Sequence, residues 1–216
     1  MSAAAGSLAP PAPPLPPNEA VYRDDGPLAR ALGRPVPVPA PALLLAGVGV
    51  LLAAVALTGG DASPALAGGV LAFLIVTVGV TSRHWPRASF HWAVPPLVRL
   101  GEYTGLSWIA AIAGADALPA AFALLAALTF RHYDLVYRLR HRAEVPPAWL
   151  NALAAGWEGR LAIAWLLLVL GALPAAMFAW AALLGAVSVA ETVVAWQHFE
   201  RGRRPAEYDD AEDEGE

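Results

Sequence analysis

Six stretches of this sequence are apolar over nearly the whole length that a helix needs to cross a lipid bilayer: residues 41–58, 64–82, 96–115, 118–138, 157–173 and 174–199. An α-helix rises ~1.5 Å per residue, so about 20 residues cover a hydrocarbon core of ~30 Å. Within that core every backbone N–H and C=O must find a partner inside the protein, and a helix supplies it within the segment. The chain is therefore expected to be all-α, a polytopic membrane protein built as a bundle of about six transmembrane helices with disordered termini. A content of 57% hydrophobic and 15% charged residues excludes an ordinary soluble domain. The boundary between the last two stretches is open, because Pro174 either begins a sixth helix or kinks one continuous helix.

Three regions follow. Residues 1–40 read as a Pro-rich, mostly disordered cytoplasmic segment, residues 41–200 as the six-helix transmembrane domain, and residues 201–216 as an acidic disordered cytoplasmic tail. The start lacks the basic n-region and unbroken apolar core of a secretory signal, being uncharged to Pro17 and interrupted by the proline run from Pro10. Between Asn18 and Arg34 the chain turns polar, and the run from Asp25 to Arg30 is expected to open a short helix with Asp25 near its cap and Pro27 in its first turn. Arg23, Arg30 and Arg34 then fall just ahead of the membrane. Small residues, as at Gly101 and Gly105 or Ala110 and Gly114, permit close helix contact.

All fourteen basic residues are arginines, and their distribution fixes an orientation. The turns after the first, third and fifth spans hold only Asp61 and Asp116 as charged residues, whereas Arg83 and Arg87, Arg140 and Arg142, and Arg201, Arg203 and Arg204 lie on the opposite side. By the positive-inside rule both termini are cytoplasmic, and a multi-pass protein of the inner (plasma) membrane is expected. The cytoplasmic loops are rich in aromatics, with Trp85, Phe90, His91 and Trp92 in one and Trp149 and Trp157 in the other; these are expected to belt the interface. Residues 146–153 are expected to form a short helix lying in that interface.

Ionisable side chains inside a span cost about 2.5–3.5 kcal/mol each on insertion scales, so each should face a partner or a wet cavity. Arg99 and Glu102, three apart with Tyr103 beside them, share one helix face; so do Asp134 and Arg138, four apart, with Tyr137 alongside. Glu158 and Arg160 open the fifth span, and Glu191 and His198 lie on one stripe of the sixth with no basic residue on the turn of Glu191. With the orientation above, all four acids reach the cytoplasmic half of the bilayer. Arg99, Glu102, Tyr103, His132, Asp134, Tyr137, Arg138, Glu158, Arg160, Glu191 and His198 are thus the candidates for a cytoplasm-facing polar cavity. Carboxylates converging with arginines would suit Mg²⁺ or Mn²⁺ and a phosphate-bearing headgroup, with Glu102, Asp134 and Glu191 as the candidate ligands. The competing reading makes Arg99–Glu102 and Asp134–Arg138 ion pairs that only fix helix rotation. His132 and His198 suit either proton transfer or an interfacial position. With no cysteine, disulfides and thiolate chemistry are excluded, and no motif for nucleotide or nucleic-acid binding occurs.

The segments Tyr22-Arg23-Asp24-Asp25-Gly26-Pro27-Leu28-Ala29-Arg30, Arg131-His132-Tyr133-Asp134-Leu135-Val136-Tyr137-Arg138-Leu139-Arg140-His141 and Gly156-Trp157-Glu158-Gly159-Arg160 resemble an actinobacterial membrane domain of unknown function. That domain is often joined to, or encoded with, CDP-alcohol phosphatidyltransferases. The resemblance implies an inner-membrane protein tied to phospholipid headgroup synthesis, with membrane lipids and a CDP-alcohol phosphatidyltransferase as partners and no established activity of its own. The metal motif of those transferases, Asp-x-x-Asp-Gly-x-x-Ala-Arg with two further aspartates, is matched only from Asp25 to Arg30; Tyr22 and Pro39 stand where the motif needs Asp and Gly. Three functions remain: an accessory or scaffold domain; a small proton-coupled transporter or channel with Glu191 and Asp134 as relay groups; and a divergent metal-dependent lipid phosphotransferase.

Overall fold

The computed structural model describes residues 20–33, 40–83, 93–141 and 147–203. These form nine α-helices: α1 (Ala20–Arg23), α2 (Pro27–Leu32), α3 (Ala40–Thr58), α4 (Pro64–Gly79), α5 (Val94–Ala113), α6 (Leu118–His141), α7 (Ala148–Leu153), α8 (Gly156–Val169) and α9 (Leu173–Arg203), and no strand occurs among the described residues. Each of the six apolar stretches is a helix. Four stretches, Ala40–Asp61, Pro64–Ser82, Trp149–Val169 and Leu173–Gln197, are long and apolar enough to cross a membrane. The long helices α5 and α6 are less apolar because Arg99 and Glu102 interrupt one, and Arg131, Asp134 and Arg138 the other. Large apolar side chains such as Leu57, Phe122 and Leu170 point outward, a surface that suits lipid rather than water.

Short turns set the helix ends. Ser63 caps α4 by accepting the Leu66 N–H at 3.2 Å, with Pro64 in the first position. Asp61 and Asp116 lie in the 3₁₀ turns 59–61 and 115–117. The break between α8 and α9 resolves the question at Pro174. Gly171 takes φ +68°, the N–H of Ala172 returns to Leu167 O at 3.0 Å and that of Gly171 to Leu168 O at 3.1 Å, so α8 ends in a Schellman turn. Pro174 then stands in the first turn of α9, where its missing N–H costs nothing.

The buried surface runs between α3, α4, α5 and α8, through Leu44, Leu51, Leu74, Leu106, Ile109 and Leu161, and reaches α6 at Leu124 and Leu128. A methyl added at Gly105 would come within 2.7 Å of Leu161 and 3.1 Å of Leu71, so that glycine sets how near α5 lies to α8 and α4. Gly114 has another role: it ends α5 with open space around it. The chief neighbour of α9 is α6, and the two run in parallel, Gly185 facing Ala127 and Glu191 facing Arg138. The short helices α1 and α2 pack into one end of this bundle against α4, α5 and α8. Arg23, expected ahead of the membrane, is therefore fully buried.

Trp157, expected in an aromatic belt, is a core residue at 1% exposure, while Trp149 on α7 is exposed. The short helix expected over 146–153 is α7. The proline run, Arg34, the aromatics Trp85, Phe90, His91 and Trp92, Arg87, Arg142, Arg204 and the acidic tail lie outside the described residues, as do the side chains of Arg83, Arg140, His198, Arg201 and Arg203.

Candidate functional site: two charged clusters

The α1–α2 elbow carries Arg23, Asp24 and Asp25, and the chain turns there because Asp24 adopts φ 54°, a left-handed conformation that aspartate tolerates better than most residues. The turn points the Asp24 carboxylate into the bundle. Its Oδ2 accepts from Arg160 Nη2 at 2.8 Å and its Oδ1 from Arg131 Nη2 at 3.1 Å. Arg99 Nη1 and His132 Nε2 lie 3.9 Å and 3.5 Å from Oδ2. Arg160, itself without solvent exposure, reaches from α8 to Glu102 on α5, donating through Nε at 2.5 Å, and to Ala154 O at 2.8 Å through Nη1. Arg99 completes the group by donating to Glu102 Oε2 at 3.0 Å and to Tyr22 O at 3.1 Å. Tyr103 Oη sits 2.8 Å from His132 Nδ1 with the two rings stacked, and Asn151 on α7 accepts from Arg131 at 2.8 Å.

The rest of the elbow is held as firmly. Arg23 pairs with Asp25 at 2.9 Å and donates to Thr81 Oγ1 at 3.0 Å and Val78 O at 3.0 Å, placing a cation at the C-terminal end of α4, where the helix dipole favours it. Asp25 accepts from the Trp157 indole at 2.8 Å, so it bridges to α8 and does not cap α2. That cap comes from Glu158, 132 residues along the chain, whose two oxygens accept the Gly26 N–H at 3.1 Å and the Ala29 N–H at 3.0 Å. The backbones meet here. A methyl on Gly26 would lie 2.6 Å from Ala155 O, and Gly156 takes φ +69° against it.

Four arginines, Arg23, Arg99, Arg131 and Arg160, thus face three carboxylates, Asp24, Asp25 and Glu102, while the fourth carboxylate of this end of the bundle, Glu158, is held by the Gly26 and Ala29 N–H groups. The formal charges balance, which is the condition for keeping so many ions out of water. Burial works against the charged form of Asp24, but Arg160, helped by His132, Arg99 and Arg131, holds its carboxyl well below the usual carboxylate range.

A second cluster joins α6 to α9. Arg138 Nε lies 2.7 Å from Asp134 Oδ2, Nη1 donates to Glu191 Oε1 at 2.7 Å, and Nη2 pairs with Glu191 Oε2. Glu191, which has no cation on its own turn, obtains one from the neighbouring helix. Tyr137 stacks between Tyr133 and Trp196, with centroid separations of 6.4 and 6.2 Å.

The residues expected to line one cavity are therefore divided. Arg99, Glu102, Tyr103, His132, Glu158 and Arg160 gather around the elbow, Asp134, Tyr137, Arg138 and Glu191 lie between α6 and α9, and the side chain of His198 is outside the described residues. Glu102 does not join Asp134 and Glu191: it is engaged by Arg99 and Arg160, whereas the other two share Arg138. No group of three His, Asp or Glu suited to a metal ion is found among the described residues. Asp24, Asp25, Arg23 and Arg131 were not among the expected site residues. One signal pointed to Asp24: Arg160 has no acid three or four positions away on its own helix, so its partner had to come from elsewhere.

A family model matches residues 19–215, and the chain belongs to a family of unknown function (DUF5941). The matched stretch takes in the elbow as well as every long helix. No curated protein and no solved structure matches the chain.

Proposed function

We propose that this member of the family is an accessory or scaffold domain of the inner membrane, with both termini in the cytoplasm, serving phospholipid headgroup (CDP-alcohol) metabolism beside a CDP-alcohol phosphatidyltransferase. The observation that carries the accessory role is the cage around Asp24. Three arginines that would otherwise be available to a phosphate-bearing substrate are engaged by a carboxylate from the chain's own elbow. A catalytic site keeps its ions open to substrate, whereas this balanced and buried network locks five helices and the elbow into one body. The one-sided distribution of arginines supports the orientation. The pathway rests on the likeness of the Tyr22–Arg30, Arg131–His141 and Gly156–Arg160 segments to a domain that accompanies those transferases.

The test is purification of the full chain in detergent, native mass spectrometry for retained lipid or protein, and assay of CMP release from CDP-diacylglycerol with Mg²⁺. A retained partner and no release by the chain alone are expected. Release by the chain alone that disappears in Asp134→Asn would replace this reading with the metal-dependent enzyme.

A further inference from the structure

The α6–α9 cluster has a feature that a purely structural ion pair does not need. Beside it lies a groove of about 190 Å³, open on one side and lined by Phe130, Tyr133, Asp134, Tyr137, Thr192 and Trp196. Four of the six lining residues are aromatic and the one charged residue is an acid. Arg138 stands behind the lining, 5% exposed, while the side chains of Asp134 and Glu191 keep 17% and 16% of their surface. One guanidinium between two carboxylates leaves the triad one formal negative charge. Tyr133, Tyr137 and Trp196 stack in series at 6.4 and 6.2 Å, so together they form one continuous aromatic wall of the groove.

We propose that this groove binds an alkylammonium group, with Asp134 as counter-charge and Tyr133, Tyr137 and Trp196 as aromatic walls. An aromatic face attracts a cation through its quadrupole, and the weakly hydrated methylated ammonium gains most because it gives up little hydration on entering. The chemistry excludes the alternatives near a membrane. An anionic phosphate meets a carboxylate and the negative faces of the rings, and a small hard cation prefers several charged or carbonyl oxygen ligands where the lining offers one carboxylate, Asp134, and the hydroxyls of Tyr133, Tyr137 and Thr192. The volume is below the ~300–1,000 Å³ of sites that enclose a whole drug-sized ligand, and suits a single headgroup. The groove lies in the last turns of α6, toward its C-terminal end at His141, where a headgroup would meet it. The same group occurs on a lipid such as phosphatidylcholine and on a soluble solute such as choline. This inference is independent of the accessory role.

The experiment uses the full chain in a maltoside detergent, which has no ammonium. Tetramethylammonium binding is measured by saturation-transfer NMR against tert-butanol, a neutral group of similar shape. The expected results are binding of tetramethylammonium only, weakened about threefold to thirtyfold in Trp196→Ala and in Asp134→Asn, and unchanged in Trp149→Ala. Tyr133 is 70% exposed, so Tyr133→Ala tests the wall with the least risk to folding. Choline binding together with enrichment of phosphatidylcholine over phosphatidylglycerol from mixed nanodiscs supports a lipid source; choline binding without enrichment supports a soluble one. Equal binding of tert-butanol by the unmodified chain, no binding of either probe, or affinity unchanged in Tyr133→Ala and Asp134→Asn would overturn the proposal.

Discussion

Asp24 is the residue on which the elbow turns. Removing one member of a buried ion pair leaves its partners charged in a poor solvent for charge, at a cost of about 3–5 kcal/mol. Asp24→Asn keeps the shape and removes the charge that faces Arg99, Arg131 and Arg160. It is expected to lower stability by that amount, read as loss of near-UV circular dichroism on denaturation in detergent. Arg160→Lys is expected to be nearly as harmful, because one ammonium cannot replace a fork that reaches Asp24, Glu102 and Ala154 O together. The pH dependence follows from the depressed Asp24 carboxyl. Its contribution is complete above the ordinary value of 3.8 and is lost only as pH falls through the lower folded value. An acid titration of the folded chain should therefore show a late limb that Asp24→Asn removes; superimposable acid limbs would contradict this.

At the scale of elements, the close contact between the α2 entrance and the α8 entrance carries the next prediction. Gly26→Ala forces a methyl to 2.6 Å from the Ala155 carbonyl, a backbone atom that cannot swing aside. A loss of about 1–3 kcal/mol is expected, whereas Gly69→Ala, inside α4 with open space around it, should leave stability unchanged or raise it by up to about 1 kcal/mol. Thermal melts of the two variants side by side decide it. The long helices were legible in the sequence because apolar length and helix signals such as Ser63-Pro64 are local. Pairs three and four apart were legible for the same reason, as Arg99–Glu102 and Asp134–Arg138 show. What was not legible joins distant positions: Asp24 to Arg131 across 107 residues, and Gly26 to Glu158 across 132. Trp157 was misplaced because an aromatic at a span end looks the same whether its indole meets a headgroup or Asp25. The convergence of Glu102 with Asp134 and Glu191 failed for a related reason: a shared depth in the bilayer does not specify which face of the bundle each helix presents.

For the whole molecule, orientation is the testable property. The cysteine-free sequence allows single cysteines at Asp61 and Asp116, in the turns 59–61 and 115–117, to be labelled without background. Both are expected to react with an impermeant maleimide from outside intact cells; reaction from the cytoplasmic side alone would invert the topology. The ion network also bears on how the bundle is made. Asp24 leaves the ribosome 136 residues before the Arg160 it will bind, on the order of ten seconds at ~5–20 residues per second. During that interval Asp24, Arg99 and Arg131 have all been made, but the cage they form with Arg160 cannot close. The elbow is thus made early yet fully seated only once α8 has been made, and its docking reports that α5, α6 and α8 have all arrived in register.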